Sequence, residues 1–159
     1  MKKVILFIAL FVPILVFIFL FQFGSNKFDI PVYYTKGIGR GIEGCNEALW
    51  RDPRPYVLPD SALRAWGWTG EKVTLIVLNE NGIEKNLARI ADQFQPGEYA
   101  TVKLNDAPYE VKTCMLLAGD SSRVVMVDAK RQIRGYYTPT TNKESDRLKV
   151  EISIVLEYN

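Results

Sequence analysis

Val73-Thr74-Leu75-Ile76-Val77-Leu78 is an apolar run rich in β-branched residues. Such a run suits a strand buried on both faces, as in a parallel or mixed central sheet. Asn79-Glu80-Asn81-Gly82 follows as a loop. Ile83, Leu87, Ile90, Ala91 and Phe94 then recur at the spacing of one helical face, which predicts an amphipathic helix. Asn81, with Glu84 three residues on, is its expected cap, and Pro96-Gly97 its expected end. Strand then helix is half of a βαβ unit, and Tyr99 to Leu104 supplies the second, parallel strand.

Pro108 to Leu117 fits a short helix or an extended segment equally well. Arg123 to Asp128 (RVVMVD) is another apolar strand. Ala129-Lys130-Arg131 turns the chain and Gln132 to Tyr137 (QIRGYY) returns it, so the sheet is mixed. The last segment carries two patterns. Val150, Ile152, Ile154 and Leu156 alternate as in a strand, whereas Leu148, Ile152, Val155 and Leu156 share a helix face. Thr141-Asn142-Lys143-Glu144 is a capping box, with Glu144 and Asp146 near the positive helix end, and this decides for helix. The expected fold class is α/β, a mixed sheet flanked by helices.

Upstream lies a different material. From Val4 to Phe23 every residue is apolar except Pro13 and Gln22. Twenty residues at about 1.5 Å each reach about 30 Å, the thickness of the hydrocarbon layer. The run exceeds a signal-peptide core and no small-x-small cleavage site follows, so it reads as an uncleaved anchor in the bilayer. The expected organisation is a cytoplasmic tail (1–3), an anchor (4–23), an irregular juxtamembrane connecting segment (24–62) and a globular domain (63–159). The three-residue tail stays inside, which places the domain outside the cytoplasmic membrane, in the periplasm of a diderm bacterium. Glycines at 37, 39, 41 and 44 and prolines at 53, 55 and 59 suit a connecting loop. Phe28 to Tyr34 suits an extended stretch against the domain or the membrane surface, and Trp66 to Gly70 a turn before the core begins.

Composition narrows the chemistry. Lys plus Arg is 20 against 18 for Asp plus Glu, and Lys2 and Lys3 account for the excess. A neutral domain argues against nucleic-acid binding, which needs a clustered positive surface. Lys130, Arg131 and Arg134 read as solvated turn and strand positions. Histidine is absent, which removes the commonest general base and metal ligand and every Ser-His or Cys-His arrangement. The two cysteines, Cys45 and Cys114, form no Cys-x-x-Cys pair. They suit either a structural disulfide stapling the loop to the core or two separate thiols, Cys114 being a small buried hydrophobe. Trp50, Trp66, Trp68, Tyr136 and Tyr137 suit core and loop anchoring or, less simply, a partner surface.

Val124 to Asp128 followed by Ile133-Arg134-Gly135-Tyr136-Tyr137 resembles the terminal hairpin of the SCO/SenC family. Asp146-Arg147-Leu148 falls where that family's final helix often carries the same residues, and Asn86 to Ile90 resembles its first helix. The stretch Phe28 to Tyr34 after an anchor resembles Bacteroidetes-type members. The resemblance implies a thioredoxin-like fold and a link to assembly of cytochrome c oxidase. The family's copper chemistry resides in Cys-x-x-x-Cys with a distal His. Here the corresponding loop, Asn79, Glu80, Asn81 and Gly82, holds no thiol, and soft copper(I) is not held by hard oxygen groups. The expectation is therefore a degenerate member without enzyme activity, cofactor or metal. It would serve as an accessory, scaffold or assembly subunit of a membrane complex, the respiratory oxidase being the natural candidate. The alternative is a thiol-dependent redox or copper-handling protein using Cys45 and Cys114.

Overall fold

A computed structural model describes residues 11–19, 29–39, 41–46 and 55–158. The tail, most of the expected anchor, Phe28 and Trp50 lie outside the described residues. Residues 11–19 are helical and exposed. Among the described residues no helix is long and apolar enough to cross a membrane.

The elements are α1 (Asp60–Ala65), β1 (Val73–Val77), α2 (Glu84–Ala91), β2 (Tyr99–Lys103), β3 (Val124–Asp128), β4 (Ile133–Tyr137) and α3 (Asn142–Tyr158). A π-helical turn occupies Glu110–Met115 between β2 and β3, closed by Leu116 N donating to Val111 O at 2.9 Å. The sheet runs β2-β1-β3-β4. β2 is parallel to β1, while β3 is antiparallel to both β1 and β4. The molecule is thus α/β with a four-stranded mixed sheet, and β1 and β3 at its centre are buried along their whole length.

Each face of the sheet carries its own core. On one face Val73, Leu75, Val77, Val124 and Met126 meet Leu87 and Ile90 of α2 and Leu148, Ile152 and Val155 of α3. On the other, Ile76, Val125 and Val127 meet Leu58, Leu63 and Leu116. Two-sided burial explains why the central strands read as continuous apolar runs rather than as alternation. In α3 the capping box wins the conflict between the two patterns. Thr141 Oγ1 accepts from Glu144 N at 3.3 Å, and the buried stripe is Leu148, Ile152 and Val155.

Three local expectations change. Helix α2 begins at Glu84 without a side-chain cap. Asn81 is instead held in the preceding turn, its N–H donating to Asn79 Oδ1 at 3.0 Å. The helix also ends at Ala91, short of Pro96-Gly97, because Asp92, Gln93 and Phe94 close it with a turn. Ala91 is exposed and Phe94 packs on the core from outside the helix. Arg134 is not solvated. Its side chain is only 8% exposed and reaches Asp128, itself 0% exposed, at 3.4 Å and Asp29 at 3.3 Å. A β-bulge places it there: Met126 faces Gly135 but Val127 faces Ile133, leaving Arg134 as the extra residue. The bulge also flips Ile133 to the face opposite Tyr137.

The chain before residue 63 does more than connect. Ile30, Tyr56 and Leu58 are buried in the two cores, and α1 starts at Asp60. Tyr33 N donates to Ile133 O at 2.9 Å and Leu58 N to Arg131 O at 3.0 Å, so this segment runs beside β4 and the hairpin turn. Tyr33 packs edge-on against Tyr136, and Tyr34 against Tyr56. The hydroxyls of Tyr56 and Tyr136 donate to the carbonyls of Met115 (2.6 Å) and Leu116 (2.9 Å), at the end of the π turn. Trp66 and Trp68 pack on the same core.

Burial, helped by Tyr34, pushes Tyr56 up to about 12. Burial raises Tyr136 and Tyr137 as well, the latter aided by its hydrogen bond to Glu151. A folded value above the unfolded one stabilises fully below the unfolded pKa and loses that stabilisation as pH rises through the folded one. Stability should therefore hold up to about pH 10 and fall between about 10 and 12. Parallel tyrosinate absorbance and circular dichroism titrations check this. Titration of all eight tyrosines without loss of structure would contradict it.

A second outcome concerns Gly135, across which Tyr137 lies, so that a Cβ would meet the Tyr137 hydroxyl and ring carbons. Gly135→Ala should cost about 1–3 kcal/mol by overpacking. Gly39→Ala, where the added atom meets nothing within 4 Å, should be near neutral. Thermal unfolding of the two variants makes the comparison.

Candidate functional site

In sheets of this kind ligands meet the carboxyl ends of the parallel strands, which here are β1 and β2. The loop Asn79, Glu80, Asn81 and Gly82 lies there, between β1 and α2. Gly82 has φ of 74°, a left-handed conformation that suits glycine and lets the chain turn into the helix. Leu78 N donates to Arg123 O at 2.8 Å, tying the loop to the start of β3.

The polar side chains of this loop are engaged with their surroundings. Glu80 Oε2 stands 2.6 Å from Lys103 Nζ, and Glu80 Oε1 accepts from Asn105 Nδ2 at 3.0 Å. The Lys103 hydrogen bond, with Asn105 adding to it, holds the Glu80 carboxyl below its ordinary value. Arg123 donates to the Asn81 carbonyl. Beside the loop a polar pocket of about 470 Å³ is lined by Asn79, Asp106, Lys112, Ser121, Arg123 and Thr138, among others. Lys112 faces Asp120 across it at 3.7 Å, and Thr138 Oγ1 donates to Ser121 O at 2.6 Å. The lining holds Asp106 and Asp120 together with Lys112 and Arg123, so the pocket presents no single sign of charge. Among the described residues no group of three or more Cys, Asp or Glu is placed to hold a metal ion.

Cys45 and Cys114 are joined in a disulfide, with Cα atoms 5.5 Å apart. That spacing is ordinary for the bond. Cys114 belongs to the π turn and is buried. The loop carrying Cys45 is held to the same turn by Tyr109 Oη, which donates to Glu43 O at 3.1 Å. The bond therefore joins the segment before residue 63 to the π turn. Neither cysteine belongs to the Asn79–Gly82 loop or lines the pocket beside it.

Sequence reasoning missed two constellations. The ion group of Asp128, Arg134 and Asp29 was hidden because its members look like ordinary surface charges. The tyrosine cluster spans residues far apart in the chain, and only the repeated Tyr in the hairpin and after the apolar run hinted at it. No protein-family model matches the chain, nor does any curated protein or any solved structure.

The disulfide closes a loop of 69 residues, and loop-closure entropy for that length is worth roughly 4 kcal/mol. The double variant Cys45→Ser/Cys114→Ser should lose up to about that amount in denaturant unfolding. An unchanged midpoint in the variant would show that the bond adds nothing to stability.

Proposed function

We propose that this protein is a membrane-anchored domain of thioredoxin-like build, held outside the cytoplasmic membrane, that acts by binding a membrane complex and catalyses nothing itself. The order β-α-β, then β-β-α, with strands arranged β2-β1-β3-β4, supports the thioredoxin-like part of this reading. The apolar run Val4 to Phe23 supports the anchor. The observation that carries the functional part is the loop at the head of α2. Where the resemblance to the SCO/SenC family implies a thiolate pair, this chain has Asn79, Glu80, Asn81 and Gly82. Glu80 there is matched to Lys103 and Asn105 of the chain's own β2 end. Hard oxygens already engaged in this way make a poor seat for copper(I). An anchor and a fully packed core kept around such a loop favour an accessory or assembly role. The respiratory oxidase is the complex that the resemblance suggests.

The rival, a redox or copper-handling protein using Cys45 and Cys114, would hold copper(I) only with that bond reduced, because the soft ion binds thiolates, and a redox role would require the bond to open to a dithiol.

Two measurements test the proposal. The full chain, tagged and extracted in mild detergent, should co-migrate on native gels with a haem-containing complex. Migration free of haem would remove the oxidase from the reading. Copper(I) titration of the same protein should show no stoichiometric tight site. Tight binding that disappears in Cys45→Ser/Cys114→Ser would overturn the non-catalytic reading in favour of the rival.

A further inference from the structure

Away from the candidate site, α3 and the segment beginning at Asp29 enclose a groove of about 580 Å³ over β4. The volume lies within the range of small-ligand pockets. One wall is apolar and belongs to α3, where Val150 and Ile154 stand one turn apart. The other wall is Ile30, Pro31 and Tyr33. Val150 is 59% exposed, a branched aliphatic side chain left in water beside the helix's buried stripe of Leu148, Ile152 and Val155. The floor includes Tyr137, whose hydroxyl donates to Glu151.

Charges near the groove are matched among themselves. Asp29 pairs with Arg134, and Asp146 pairs with Lys149 and Arg89. Glu151 is held by Arg147 Nε at 2.6 Å and by Tyr137. Arg147 itself is 65% exposed and uses only Nε in that pair, so the outer edge of its guanidinium stays open to an acceptor. The groove thus combines an apolar channel with one available cationic donor at its rim. That combination fits one acyl chain of an amphiphile with a small anionic head.

The position of the groove supplies the source. Five residues, 24–28, separate the end of the apolar run at Phe23 from Asp29 on the groove rim. Even fully extended, that link spans about 20 Å. The rim therefore stands near the lipid headgroups, where such amphiphiles are concentrated. We infer that the groove between α3 and residues 29–33 binds the apolar chain of a membrane amphiphile, with its anionic head at Arg147. This rests on the anchored reading above.

The test uses the full chain reconstituted in phosphatidylcholine vesicles, with trace diazirine-bearing fatty acid in one arm and diazirine-acyl phosphatidylglycerol in the other. After photolysis, adducts are mapped by mass spectrometry. Adducts on the peptides holding Ile30–Tyr33 and Val150–Ile154 are expected, and the arm that yields them distinguishes a free acid from a phospholipid. Val150→Asp changes an exposed position, so it should fold, and it should cut groove labelling about tenfold by setting a carboxylate in the apolar wall. Arg147→Gln should reduce labelling by the acidic probes while leaving the thermal midpoint close to that of the parent. Adducts confined to residues 4–23, or equal labelling in Val150→Asp, would overturn the inference. Alkaline carbonate extraction separates the two levels. Release of the chain from the membrane removes the anchor and the tether with it, whereas a retained chain with an unlabelled groove removes the groove alone.

Discussion

A single buried carboxylate organises one side of this molecule. Asp128 closes β3 and is fully enclosed. One oxygen accepts from Gln132 N at 2.9 Å and so shapes the turn, while the other faces Arg134 across the bulge. A charge removed from water in this way is tolerated only because it is paired and hydrogen-bonded. Arg134 passes the constraint on to Asp29, at the start of the segment that runs beside β4. The hairpin turn, the bulge and the path of the chain from Asp29 are therefore parts of one arrangement.

The second organising feature is the covering of β4. An edge strand with free backbone groups invites pairing with other chains. Here residues 29–34 and 56–58 lie along it, joined through Tyr33 to the β4 backbone and through Leu58 to the hairpin turn. The tyrosine cluster and the disulfide extend this covering to the π turn. The polar hydroxyls of Tyr56 and Tyr136 satisfy carbonyls at the end of that turn, which has few partners of its own. The result is a domain whose core includes residues on both sides of α1.

The functional reading follows from which polar groups are occupied. At the carboxyl ends of the parallel strands, Lys103 and Asn105 answer Glu80, and Arg123 answers the Asn81 carbonyl. At the groove beside α3, the arginine at position 147 keeps an open edge next to exposed apolar surface. The first arrangement stabilises a loop. The second resembles a binding site and lies beside the chain that leads to the apolar run.

Much of the architecture was legible without coordinates. The apolar runs at 73–78 and 123–128, the helical spacing after Gly82 and the capping box at Thr141 are local signals, and local energetics decide them. The α/β class and the order of elements followed directly. The same sequence showed that the loop at 79–82 lacks thiols, because that is a matter of composition at a position. Tertiary structure alone decided the burial of Arg134, the covering of β4, the pairing of Cys45 with Cys114 and the groove beside α3. Each depends on residues tens of positions apart meeting in space. A charged, glycine-rich or aromatic segment looks the same in sequence whether it is solvated or packed. Only its partners tell which, and those partners come from elsewhere in the chain.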